Sequence, residues 1–102
     1  MKNVDAEIQA FKTRIETERE FCEELYQYAT LRLLAAKYAY YVCSNPYLSD
    51  YAYDGLEQSW YIMGRALGYL KEDEHTPCVD FDEKHPNAEE AVELAKKLMA
   101  KR

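Results

Sequence analysis

A chain of 102 residues, 48% of them hydrophobic and with only three glycines and three prolines, has the composition of one small globular domain. Thirteen basic against nineteen acidic residues leave a net charge of −6, which argues against nonspecific nucleic-acid binding, because that affinity comes from Lys and Arg contacts to phosphates. No run of about 18 apolar residues occurs, so no membrane span is expected. The start, Met1-Lys2-Asn3-Val4-Asp5, lacks the apolar core of a signal peptide, and a cytoplasmic protein is the expectation. Cys22, Cys43 and Cys78 are odd in number and widely spaced, which fits reduced thiols.

Apolar residues fall at Val4, Ile8, Phe11 and Ile15, then at Cys22, Leu25, Ala29, Leu33, Ala36 and Tyr40. That alternating three- and four-residue spacing marks one helical face. The stripe lapses across Glu16-Thr17-Glu18-Arg19-Glu20. A single helix over 4–43 would be about 60 Å long, too long for a domain with a radius of gyration near ~13 Å. The helix therefore either bends near 16–20 or sends its first half out to meet a partner.

Pro46 disfavours helix at Asn45. Ser49 as N-cap, Asp50 in the first turn, and Leu48 with Tyr53 as a hydrophobic staple predict a sharp restart. The stripe then runs Tyr53, Leu56, Trp60, Met63, Leu67 and Leu70, with Gly64 and Gly68 one turn apart where a close helix crossing is expected. Residues 72–86 have no period and read as an irregular connection. Asn87 and Glu90 have capping-box spacing and open a last helix with Ala88, Ala91, Val92, Ala95, Leu98 and Met99 on one face. Lys96, Lys97, Lys101 and Arg102 suit its C-terminal dipole. The expectation is a single all-α domain over 1–102. It is built on an antiparallel hairpin of helices at about 21–43 and 49–71, with an N-terminal helical extension and a C-terminal helix.

Between Tyr38 and Asp54, six tyrosines and two aspartates surround the turn of that hairpin. Tyr40 lies about one turn before the link, and Tyr53 and Asp54 about one turn after it. The geometry gathers Tyr40, Tyr41, Asp50, Tyr53 and Asp54 at one end of the molecule. Tyrosine faces attract a cationic ring such as pyridinium by roughly 0.5–2 kcal/mol, and carboxylates accept hydrogen bonds from a ribose diol. The same residues also have a packing account, with Tyr38, Tyr40 and Tyr53 rimming the core and Ser49, Asp50 and Asp54 serving the helix start. No catalytic set is visible: both histidines lie outside the cluster, and there is no Ser-His-Asp arrangement or Gly-rich phosphate loop. His75, Cys78 and His85, with Asp80 and Asp82, are metal ligands by type, but their spacing matches no familiar zinc module, and no metal is expected.

The tyrosine-rich stretch resembles the N-terminal helical domain, called Ia, of bacterial NAD-dependent DNA ligases. In that family a helix ends Tyr-x-Tyr-(Tyr/His)-Val, a short link contains Pro, and the next helix opens Asp-x-x-Tyr-Asp. Here these stand as Tyr38-Ala39-Tyr40-Tyr41-Val42, Asn45-Pro46 and Asp50-Tyr51-Ala52-Tyr53-Asp54, followed by Leu56. The likeness covers about residues 31–56. It implies a stand-alone, non-catalytic module that binds NAD, nicotinamide mononucleotide or a related ADP-ribose compound. Tyr40 and Tyr41 would flank the nicotinamide end, and Asp50, Tyr53 and Asp54 would supply the remaining ring and ribose contacts.

The family's adenylation lysine lies in a Lys-x-Asp-Gly motif, whereas Asp54-Gly55 here follows Ala52-Tyr53. The four-cysteine zinc element and the helix-hairpin-helix motifs are missing as well. Ligation by this chain alone is therefore excluded, and a ligase role would need an adenylation domain acting in trans. Two other readings stay open. One is a small acidic interaction or inhibitor protein, of phage or mobile-element type, that sets the acidic run at 16–24 against a host enzyme. The other is a structural helical bundle without a ligand. Homo-oligomerisation is left open by the apolar stripe that helices of this length have to spare.

Overall fold

The computed structural model describes residues 3–78 and 80–101. The first helix, α1 (Val4–Lys37), opens at Asn3, whose side-chain oxygen accepts from the Ala6 amide at 3.2 Å. It does not run straight. Glu18 leaves helical geometry at φ −135° and ψ 44°, inside the polar stretch where the apolar stripe lapses. There the Thr17 hydroxyl donates to the Arg14 carbonyl at 3.3 Å, and Arg14 Nε donates to Glu18 Oε2 at 2.7 Å. Local side-chain bonds of this kind accompany breaks in the backbone ladder.

The bend turns residues 4–17 back along the molecule. Val4 packs on the cluster of Ala29, Leu33, Trp60 and Tyr61; along a straight helix Ala29 would lie about 37 Å from it. Phe11 packs on Ile15, Cys22 and Leu67. The longest dimension is consequently 38 Å and the radius of gyration 14.0 Å. Of the two expectations for this segment the bend holds, and residues 4–17 do not project.

Helix α2 (Asp50–Leu67) starts as its sequence directs, with Ser49 Oγ accepting from the Ala52 amide at 3.1 Å. It ends earlier than the expected boundary at 71. Gly68 adopts φ 84°, and the Gly64 carbonyl accepts from the amides of Tyr69 and Leu70 at 2.9 and 3.2 Å. This left-handed cap folds Leu70 over Gly64, where a β-carbon would collide with Leu70 and with Tyr26 of α1. The two glycines thus have different jobs. Gly64 permits a close approach, while a β-carbon on Gly68 would meet nothing within 4 Å and only its backbone matters.

Helix α1 stands between its neighbours. Ala29 and Leu33 meet Trp60 and Tyr61 of α2, while Leu34 and Ala35 meet Ala91 and Ala95 of α3 (Ala88–Ala100). A helix covered on two sides loses its solvent face, and residues 33–37 are accordingly buried without interruption. A polar relay runs through the interior: Trp60 Nε1 donates to Thr30 Oγ1 at 2.8 Å, and that hydroxyl donates to the Tyr26 carbonyl at 2.9 Å. The all-α hairpin architecture is therefore as expected.

Asn87 does sit at the start of α3, but its side chain makes no capping bond. Its φ −97° and ψ 9° belong to a turn rather than to the extended backbone that aims a capping side chain at the first amides. The Asn87 half of the expected capping box is thus not formed. The irregular connection before it is tied to the bundle. The Tyr61 hydroxyl donates to the Glu72 carbonyl at 2.8 Å, His75 stacks on Tyr61 at 4.4 Å, and Phe81 meets Tyr38 edge to face at 5.1 Å. Met1 and Lys2, read for a leader, and Arg102, read as a dipole partner, lie outside the described residues. Among the described residues no helix is long and apolar enough to cross a membrane.

Candidate ligand pocket at the hairpin tip

The chain leaves α1 through a π turn over Tyr38–Val42. The Cys43 amide donates to the Tyr38 carbonyl at 3.2 Å and the Asn45 amide to the Ala39 carbonyl at 2.8 Å. A turn bonded i to i+5 advances each side chain by less than the roughly 100° of an α-helix, and Ala36, Tyr40 and Tyr41 all line one pocket at this end. Ser44 then stops the helix at φ 50°, a left-handed conformation uncommon for a residue with a side chain. Residues 45–47 carry the chain across to the Ser49 cap.

Helix end, link and helix start enclose a pocket of about 190 Å³ lined by Ala36, Tyr40, Tyr41, Pro46, Tyr47, Leu48, Asp50 and Tyr53. Four of the residues singled out in the sequence, Tyr40, Tyr41, Asp50 and Tyr53, come together here. Asp54 does not line it. It follows Tyr53 by one residue, about 100° further round α2, and is exposed to solvent. Tyr40 and Tyr41 meet edge to face at 4.9 Å, and each is about half exposed. Tyr38 instead packs on Phe81 beside α3, and Tyr53 packs on the cluster of Ala29, Leu33, Trp60 and Tyr61, so the packing account fits these two and not Tyr40. Burial pushes the Tyr47 phenol up to about 12 against the pull of Arg32. Burial, reinforced by Glu57, also raises the Tyr53 phenol. Both groups are neutral hydrogen-bonding phenols near pH 7.

Lys37 is the member that the sequence reading passed over. Only 2% exposed, it lies against the pocket tyrosines, with Nζ 5.8 Å from the Tyr41 ring centre and 5.5 Å from that of Tyr53. Burial lowers the pKa of its ammonium, and Cys78, Glu57 and Asp80 oppose that shift. Spacing held a clue: Leu33, Lys37 and Tyr41 are four apart, which puts the lysine on the buried stripe. The Lys37 charge already engages two of the rings that a cationic ligand would use.

The candidate metal ligands are dispersed. His75 stacks on Tyr61, Cys78 packs on the cluster between α1 and α3, and His85 Nδ1 accepts from the Asn87 amide at 3.1 Å. Among the described residues no three His, Cys, Asp or Glu side chains are grouped to hold a metal ion. Cys22, Cys43 and Cys78 are all free thiols.

Sites that enclose whole ligands span roughly 300–1,000 Å³. The tip pocket is smaller, so it accommodates one ring and leaves the rest of a ligand outside. Its lining offers aromatic surface, an apolar floor from Ala36, Pro46 and Leu48, and a single carboxylate, Asp50. Comparison with known proteins found no matching family model, no similar curated protein and no similar solved structure, so the ligase likeness is carried by residues 31–56 alone.

Proposed function

We propose that this protein is a non-catalytic binding module that holds the nicotinamide mononucleotide half of NAD, or a related ADP-ribose ligand, at its hairpin tip. The observation that carries this reading is the convergence of Tyr40, Tyr41, Asp50 and Tyr53 on one pocket of single-ring size. The exposed ring of Tyr40 offers the ligand an aromatic surface, and Asp50 accepts hydrogen bonds from ribose hydroxyls. Lys37 weakens the case for attraction by ring charge alone, since a buried ammonium repels a second cation through a medium with little screening. Ring burial and the Asp50 contacts then supply most of the binding. With no adenylation lysine the module does no chemistry itself; in a split ligase a separately encoded adenylation domain would supply it.

Calorimetric titration with nicotinamide mononucleotide and NAD tests this directly. Saturable binding in the micromolar range is expected, weakened about tenfold or more by Asp50→Ala, as loss of a hydrogen bond to a charged group implies. Absence of heat with either compound at millimolar protein removes the reading.

The same tip favours a second reading, in which a protein partner sits on it. Tyr51 is 91% exposed, and Val42, Tyr40 and Tyr41 are each about half exposed. Exposed aromatics are enriched at interfaces, and Asp50 and Asp54 would suit a basic partner such as an adenylation domain or an inhibited enzyme. Tyr51→Asp should abolish partner capture from lysate while leaving small-ligand binding intact; unchanged capture would count against this reading.

A further inference from the structure

The tyrosine pocket has a neighbour. Tyr47 and Leu48 also line a second cavity, of about 400 Å³, whose other walls include Tyr28, Arg32 and Leu56 with Leu94, Leu98 and Lys101 from the α3 end of the chain. Its polar lining is two cations and two phenols, with no carboxylate, in a chain of net charge −6. The two cavities differ in kind: the first holds Asp50 and rings, the second a concentration of positive charge.

Arg32 is the better anion ligand of the two cations. Its guanidinium carbon lies 5.6 Å from the Tyr28 ring centre, so the side chain is braced by a cation–π contact. A braced planar fork loses less freedom on binding than a flexible ammonium does. Arg32 lines the second cavity together with Tyr47, and Tyr47 also lines the first, so the tyrosine forms a wall shared by the two. Lys101 is the C-cap residue of α3, and part of its charge answers the negative end of that helix. Its role is secondary.

We infer that Arg32, assisted by Lys101, forms an anion subsite for the phosphate of a ligand whose ring occupies the tyrosine pocket. The ligand class is a ring-bearing phosphate monoester, with the sugar crossing Tyr47 and Leu48 and the phosphate oxygens accepting from the guanidinium. The identity of the ring rests on the function proposed above; the anion subsite has its own residues. Neither Arg32 nor Lys101 belongs to the Tyr/Asp motif, and α3 lies outside the ligase-like stretch.

The test compares nicotinamide mononucleotide, its phosphate-free riboside and inorganic phosphate, each titrated at constant ionic strength. Binding is followed by NMR, including the arginine Nε–H signals, in the wild type, Arg32→Gln and Arg32→Lys. The mononucleotide is expected to bind about tenfold tighter than the riboside, about 1.4 kcal/mol. Arg32→Gln should bring the two to near equality without weakening the riboside, and Arg32→Lys should restore part of the difference. Inorganic phosphate should move the Arg32 Nε–H signal and the Tyr47 and Leu48 amides in the wild type, and leave those amides unmoved in Arg32→Gln. Equal wild-type binding of mononucleotide and riboside overturns the proposal, as does an Arg32 signal that phosphate leaves in place. If neither ring compound binds while phosphate still moves Arg32, the ring-binding reading fails and the anion subsite stands.

Discussion

Lys37 places a positive charge beside the tip pocket, its ammonium lying against Tyr41 and Tyr53 with almost no exposure to water. Lys37→Met keeps a side chain of similar length while removing the charge. It should tighten binding of the oxidised, cationic nicotinamide relative to the reduced, neutral form, measured by paired calorimetric titrations; an unchanged ratio would show that Lys37 does not sense the ligand. Lys37→Ala should instead cost about 2–3 kcal/mol in urea unfolding, because it empties space beneath two rings.

The phenols give a pH signature at the same scale. Tyr47 and Tyr53 ionise near 10 when unfolded but higher when folded, Tyr47 at about 12. The folded state then holds protons that the unfolded state releases, so stability falls as pH rises from 10 through 12. Lys37 works in the opposite sense. Its folded pKa lies below the ordinary 10.5, so its burial costs less as pH rises toward that value. Thermal melts should therefore drop steeply only above pH ~10, and Tyr47→Phe should blunt the drop. A melting temperature that stays level there in the wild type would contradict the burial of these phenols.

At the scale of elements, the ends of the helices carry the lesson. The Ser49 cap was legible because a side-chain oxygen before an apolar stripe has one common use. The bend at Glu18 was legible as a gap in the apolar stripe, although the gap alone could not distinguish bending from projection. The π turn at Tyr38–Val42 was not legible. A widened turn displaces the periodic stripe by one residue at its very end, where no further apolar positions report the shift. Ser44 was invisible for a related reason: a left-handed stop is normally announced by glycine. Ser44→Gly should stabilise the fold by up to about 1 kcal/mol by relieving that conformation, while Gly68→Ala should destabilise it by about 1 kcal/mol. Parallel urea titrations check both, and a destabilised Ser44→Gly would show that the serine side chain earns its place by contacts instead. Gly68 was visible as a glycine but read for packing, since spacing alone does not separate a crossing from a cap.

At the scale of the molecule, the bend and the tip lie at opposite ends of α2. Leu67, at the C-terminal end, meets Ile15 and Cys22 beside the bend, whereas Asp50 and Tyr53, at the N-terminal end, line the pocket. The acidic run at 16–24 is thus separated from the pocket by most of an 18-residue helix, about 27 Å in length. At physiological salt that distance exceeds the ~8 Å screening length. Charge reversal at Glu16 and Glu20 should leave ligand affinity unchanged within about twofold, whatever it does to protein partners. The candidate site was legible as a set of tyrosines and Asp50 around one turn. Spacing hinted that Lys37 is buried, but its contact with Tyr53 across α1 and α2 and the cavity that Arg32 shares with Lys101 were not legible, because both depend on side chains contributed from different helices.

The central claim is that the hairpin tip is a ligand pocket, and amide and tyrosine-ring chemical-shift mapping with saturating nicotinamide mononucleotide tests it most directly. The largest shifts are expected at Tyr40, Tyr41, Tyr47, Asp50 and Tyr53, with the bend at Glu18 unmoved. Shifts centred away from the tip, or none at all, would contradict it.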